Sequence, residues 1–261
     1  MISKKNSFFK TIEEITILFF LLINPGRSFL GKKLNFNWGI IWDIISPLFL
    51  VAGWSILMEL GIRGKNFDLS YFAFILVFWF GFSQSVTKLI NINIPKPLQV
   101  KKGLNILNIM IANFLSSVIQ IFFRMLITLF FLHSLSFNIS LFTIFYAFFL
   151  ISLFSFSYGI IFSYFFRNNL FLRDAHNLFL QFLFLSSSVI IPVSILPEQI
   201  RMFLLYNPLV HLFEWMKIST SGIYLDYIYL EYFLIFLLVI LSFTPIFLWM
   251  MNKEKNCWLR G

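Results

Sequence analysis

The sequence has one cysteine, Cys257, which excludes an internal disulfide and most cysteine-based metal centres. It also has little charge. Only 12% of its residues are Asp, Glu, Lys or Arg, against roughly a quarter in soluble domains. A water-soluble globule is therefore close to excluded. Histidine is equally sparse: His133, His176 and His211 fall in different segments, and no pair has the spacing of a helical zinc site. The phosphate-loop pattern is incomplete. Gly26-Arg27-Ser28-Phe29-Leu30-Gly31-Lys32-Lys33 follows its spacing until Lys33 takes the place of the hydroxyl residue that would hold magnesium, and no strand precedes it. A nucleotide site, and hence ATP hydrolysis by this chain alone, is not expected.

Apolar residues are abundant: 59% of the 261 residues are hydrophobic, 38 are Phe, and the mean hydropathy is +0.87. So many apolar side chains exceed what one core of this size hides, and lipid is the solvent that tolerates the remainder. A bilayer core about 30 Å thick requires roughly 20 apolar helical residues. Six windows qualify, at about 39–60, 69–90, 107–132, 141–166, 178–196 and 227–251. The expected fold is an all-α polytopic membrane protein with six spans, made of an N-terminal segment (1–38) and a transmembrane domain (39–261).

The net charge of +9 could suggest nucleic acid, but its distribution points to the membrane. Of the 20 Lys and Arg residues, 15 fall in the N-terminal segment, the second and fourth loops and the tail; Arg63, Lys65, Arg201 and Lys217 fall on the other side, and Arg124 inside a span. Basic loops are held in the cytoplasm, which places both termini there and leaves no role for nucleic acid.

Residues 1–38 do not read as a cleaved signal peptide, because the apolar stretch is short, follows Glu13 and Glu14, and lacks a small-residue cleavage site. Phe8, Ile12, Ile15, Phe19 and Leu22 recur at helical spacing, as in an amphipathic helix lying in the interface or packed on the cytoplasmic ends of the spans. Between the second and third windows, the basic cytoplasmic loop 91–108 contains Pro95, Pro97, Lys101 and Lys102. There Leu98, Val100, Leu104 and Leu107 could present an apolar face to a partner. The segment 197–226 should be external yet is rich in Leu, Phe and Met. Two short helices separated by Tyr206-Asn207-Pro208 and dipping into the outer leaflet, a re-entrant hairpin, would satisfy both backbone and side chains.

The polar residues are few. Arg124, inside the third window, could bind an anionic substrate group, pair with Glu231 or Asp226, or snorkel. Lys88 and Gln84 close the second window, where snorkelling accounts for the lysine. His211 and Glu214, three apart, share a helical face suited to an interface hydrogen bond or salt bridge.

Three local patterns resemble the membrane subunits of ABC-2 type exporters, specifically the capsular-polysaccharide export permeases. They are Gly39-Ile40-Ile41-Trp42 with Ser46-Pro47-Leu48; Leu98-Gln99-Val100-Lys101-Lys102; and Ser194-Ile195-Leu196-Pro197-Glu198 followed by Asn207-Pro208-Leu209-Val210-His211-Leu212-Phe213-Glu214-Trp215-Met216-Lys217. The last is similar to the family's Asn-Pro-Leu-x-His-x-x-Glu-x-x-Arg run. Two positions depart from the pattern: Ser46 replaces an acidic or amide residue, and Lys217 replaces Arg, keeping the charge but losing bidentate geometry.

The resemblance implies a homodimer with a channel between protomers, two cytoplasmic ATPase subunits that bind the ATP, and no cofactor on this chain. It assigns Pro97, Leu98, Val100, Lys101, Lys102, Gly103 and Leu104 to contact with the ATPase. Trp42, Arg124, Asn207, Pro208, His211, Glu214 and Lys217 would belong to the gate and channel. The cargo it implies is a lipid-linked acidic polysaccharide, moved across the bacterial inner membrane to periplasmic and outer-membrane export proteins. O-antigen or teichoic acid export is the alternative within transporters. A polytopic membrane enzyme is a distant third, since no converging nucleophile, base and metal-ligand set is visible.

Overall fold

The computed structural model describes residues 69–91, 106–134, 140–166, 169–189, 193–221 and 227–253, with Phe49 and Ala52 as isolated positions before them. The expectations for the N-terminal segment, the window 39–60 and the coupling loop therefore lie outside the described residues, apart from those two positions and the loop's ends.

Among the described residues the secondary structure is helical throughout, and four helices are long and apolar enough to cross a membrane. This is the build of a polytopic membrane protein. We label the helices α1 (Leu69–Ile90), α2 (Ile106–Ser134), α3 (Leu141–Phe166), α4 (Leu170–Ser186), α5 (Glu198–Leu204), α6 (Pro208–Ser221) and α7 (Leu230–Lys253); a short 3₁₀ turn, Val193–Ile195, precedes α5. The four candidate spans belong to α1, α2, α3 and α7.

Side-chain pairings fix the helix directions. Phe114 meets Phe156 and Phe122 meets Phe148, so α2 and α3 are antiparallel. Phe154 meets Phe233, and Phe165 meets Phe247, so α3 and α7 run the same way. α1 is hydrophobic all round and buried on every side from Phe72 to Trp79, as expected for a helix enclosed by others. It packs chiefly against α3 and α2. Two glycines permit that approach. A Cβ on Gly81 would collide with Ile121, and one on Gly159 would lie 2.9 Å from the Leu89 Cβ.

Large apolar side chains also cover the outside. Phe130 is 79% exposed and Phe142 77%, positions that water would not favour and hydrocarbon does. Within the spans, hydroxyls bond to their own helix: Ser117 to the Asn113 carbonyl, Thr128 to that of Arg124, Ser152 to that of Phe148. No free donor is thereby presented to lipid at these positions.

One window requires correction. Residues 178–196 were expected to form a continuous span, but α4 begins at Leu170, capped by Asn169 accepting from the Leu172 amide at 3.2 Å, and ends at Ser186. Its 17 residues measure about 25 Å. The cause is local chemistry. Ser186, Ser187 and Ser188 offer the backbone competing hydrogen bonds. Ser188 then turns left-handed at φ 58°, and Pro192, further on, has no N–H to give a helix.

Candidate functional site

The break after α4 coincides with a helical hairpin. α5 opens after Pro197, with Glu198 in its first turn and Arg201 in its last, an order that suits the helix dipole. The chain then turns through Leu205, Tyr206 and Asn207. Asn207 caps α6, its Oδ1 accepting from the Leu209 amide at 3.1 Å, and Pro208 occupies the first helical position, where no N–H is needed. The sequence Asn-Pro thus sets the bend.

α6 runs antiparallel to both α3 and α7. Trp215 meets Tyr146, Leu209 shares a cavity with Phe154, and His211 lies against Tyr232. Phe154 is about half-way along the 26-residue α3, so the hairpin tip sits near the middle of the bundle's length. The Ser186 end of α4 lines that same cavity. Broken helix and hairpin tip therefore meet at one depth.

What joins them is a seam of polar side chains along α6: Asn207 just before it, and Glu214 and Lys217 within it. The Asn207 amide donates to Ser187 Oγ at 2.9 Å and Ser186 Oγ at 3.3 Å. Higher up, Glu214 is completely buried, and its Oε1 accepts from Ser188 Oγ at 2.5 Å and from the Val193 backbone N–H at 2.8 Å. Lys217 Nζ lies 3.8 Å from Glu214 Oε2 and donates to Ser194 Oγ at 3.2 Å. These bonds climb α6 in step with the irregular segment beside it. Non-helical backbone persists at membrane depth only where protein satisfies its polar groups, and the seam does so for Ser188 and Val193. The left-handed Ser188, a conformation costing about 1–3 kcal/mol for a non-glycine residue, is held by the Glu214 carboxylate.

His211 locks the other side. Its Nδ1 accepts from the Tyr229 backbone N–H at 3.2 Å, which requires that nitrogen to be unprotonated, and its Nε2 lies 2.8 Å from the Leu205 carbonyl, which requires a proton there. Two backbone partners thus select the neutral Nε2–H tautomer. Burial pushes the imidazole pKa below its ordinary value, against a smaller opposite pull from the Leu205 carbonyl. Tyr232 adds a bond from its hydroxyl to the Tyr206 carbonyl at 3.3 Å.

Of the other expected site residues, Trp42 and the stretch Pro97 to Leu104 lie outside the described residues. Arg124 is on α2 and only 1% exposed; Glu231, one of its expected partners, is exposed. Lys88 is half-buried. It donates to Gln120 Oε1 at 2.7 Å, tying the end of α1 to α2. His211 and Glu214 share a face as expected, yet each serves a different neighbouring segment. Ser186, Ser187 and Ser188 were not singled out from the sequence, although three consecutive serines in an apolar stretch before Pro192 were a readable sign.

Chemically, the seam is a clasp. Its carboxylate, imidazole and ammonium are each occupied by protein partners, and among the described residues no three His, Cys, Asp or Glu side chains gather as a metal site. Such a clasp can hold the hairpin closed, and opening it exposes buried polar groups that need water or new partners. No protein-family model matches the chain, and comparison with curated proteins finds no match.

Proposed function

We propose that this chain is the membrane subunit of an ABC-2 type exporter, with six spans and both termini in the cytoplasm, which works as a homodimer with two cytoplasmic ATPase subunits to move capsular polysaccharide across the inner membrane. One observation supports this reading above the others. Three polar residues of the family-like run, Asn207, Glu214 and Lys217, clasp the hairpin to the broken helix and the segment that follows it, and the fourth, His211, ties it to the Leu205 carbonyl and the Tyr229 amide. An external gate needs such a part: buried, bistable and releasable.

In this reading the hairpin is re-entrant from the external side. ATP bound by the partner subunits would draw the coupling surface around Pro97, Leu98, Val100, Lys101, Lys102, Gly103 and Leu104, and the spans would repack. Breaking the seam would free the hairpin to move aside. Aromatic side chains along the route would offer apolar contact to sugar rings without tight specificity.

Affinity purification of the chain from its native host tests the premise, since a soluble ABC ATPase should accompany it. Deleting its gene should then leave lipid-linked polymer inside the cell. Normal surface polymer in the deletion strain, or catalytic turnover by the purified chain alone, would overturn the proposal. Loss of O-antigen or teichoic acid, with capsule intact, would move the substrate to those polymers.

A further inference from the structure

A cavity of about 310 Å³ lies between α3, α4, α7 and the hairpin tip. The deep wall is Phe154, Tyr158 and Leu183, while Leu204, Pro208 and Leu209 of the hairpin close it on another side. Phe179, Phe182, Phe203 and Phe236, all exposed, surround its mouth. Those residues belong to the outward surface that also carries Leu178, Leu185, Ile235 and Val239 on α4 and α7. The opening therefore faces sideways, toward the hydrocarbon, at the depth of the hairpin tip.

The chemistry of the walls restricts the occupant. Ser186, Asn207, Tyr158 and Tyr206 are the polar residues of the lining; the first two are already bonded to each other, to Ser187 and to the Leu183 carbonyl, and the Tyr158 hydroxyl lies 3.3 Å from His176 Nε2. A sugar ring would leave most of its hydroxyls without partners, and water does not fill a cavity so largely apolar. The volume is at the small end of ligand pockets, which run from roughly 300 to 1,000 Å³. It suits part of one extended chain rather than an oligosaccharide.

We propose that this crevice binds the end of a hydrocarbon chain of a membrane lipid, inserted sideways between α4 and α7. The chain fills space that the bundle leaves open and packs against Leu204, Pro208 and Leu209. Because it contacts the hairpin in its clasped position, occupancy favours that position over any in which the tip has moved away. The acyl tail of a bulk phospholipid and the polyprenyl tail of a lipid carrier share this chemistry.

The test uses the purified full-length chain in vesicles of phosphatidylglycerol and phosphatidylethanolamine, doped with a phospholipid carrying a diazirine at the end of one acyl chain. After irradiation, mass spectrometry should find adducts on Phe154, Leu183 and Leu204. Leu204→Trp and Leu183→Trp should abolish those adducts while leaving labelling at Ile246 and Trp249, on the outward face of α7, unchanged. Retained labelling there reports correct insertion. If a tryptophan variant loses both signals, the smaller Leu204→Phe decides, with partial loss confined to the crevice expected. Competition by excess unlabelled dioleoyl phosphatidylglycerol or by a polyprenyl phosphate identifies the source of the chain. Crevice adducts that survive both filling and competition would overturn the proposal, as would their absence in the unaltered chain. No ATPase and no polymer are present, so failure here leaves the export reading standing, and failure of export leaves this site standing.

Discussion

Truncating Glu214 to alanine removes the acceptor that the break after α4 depends on. Two hydrogen bonds to a buried carboxylate disappear, from Ser188 Oγ at 2.5 Å and from the Val193 N–H at 2.8 Å. Bonds to charged groups contribute about 1.5–3 kcal/mol each, and a buried donor left unpaired costs about 1–3 kcal/mol. Lys217 also loses an opposite charge 3.8 Å away. Since these terms overlap, we expect Glu214→Ala to cost about 3–5 kcal/mol, the range for breaking a buried pair. Glu214→Gln retains one acceptor oxygen of similar reach and should cost about 1–3 kcal/mol. Lys217→Met should cost less than Glu214→Ala, because its ion pair is longer than a hydrogen bond. Reversible unfolding by sodium dodecyl sulfate in mixed micelles gives each free energy, and the Glu214→Gln/Lys217→Met double variant gives the coupling. A Glu214→Ala variant within about 1 kcal/mol of the parent would refute the idea that this carboxylate holds the break. So would a Lys217→Met penalty larger than that of Glu214→Ala, which would assign the seam's stability to charge.

Three further outcomes are expected. His211 has a pKa below the ordinary 6.5 in the folded protein, so below that pH the unfolded chain takes up more protons than the folded one and stability falls as pH falls; unfolding midpoints at about pH 7.5 and about pH 5.5 should differ in the parent and differ less in His211→Gln. Gly159→Ala should destabilise the bundle by about 1–3 kcal/mol through overpacking, with Leu89→Ala relieving only part of it, since the Leu89 Cβ itself lies 2.9 Å from the new methyl; the same unfolding assay reads both. If the chain is the proposed exporter subunit, charge reversal at Lys101 and Lys102 should uncouple ATP hydrolysis by an ATPase partner from export while leaving membrane insertion intact, as measured by substrate-stimulated phosphate release and surface polymer.

The long helices were legible because apolar run length is itself the cause of a span. The windows 69–90 and 141–166 coincide with α1 and α3. Likewise Asn207-Pro208 announced the turn between two short helices, because a cap and a proline act on the residues next to them. The end of α4 was not legible from hydropathy. A broken apolar segment has the same mean hydropathy as a continuous one, and the break is tolerable only because Asn207 and Glu214, some twenty residues onward, supply the missing partners. Pairings at that separation depend on how helices pack, which periodicity alone does not contain. The same limit applies to Lys88. Its position at a helix end suggested a path to water, whereas the partner it found, Gln120, lies on the neighbouring helix.

The meeting of α4 and α6 has one more consequence. α4 terminates at Ser186 with its carbonyl end, and α6 begins at Pro208 with its amide end, the two joined through Asn207. A helix carries partial negative charge at its C-terminus and partial positive charge at its N-terminus. Opposite poles therefore face each other in a medium of low dielectric, where their attraction is strong and external salt screens it poorly. Moving the hairpin away from α4 would separate those poles, so part of the force that holds it in place is built into its backbone and should change little with ionic strength.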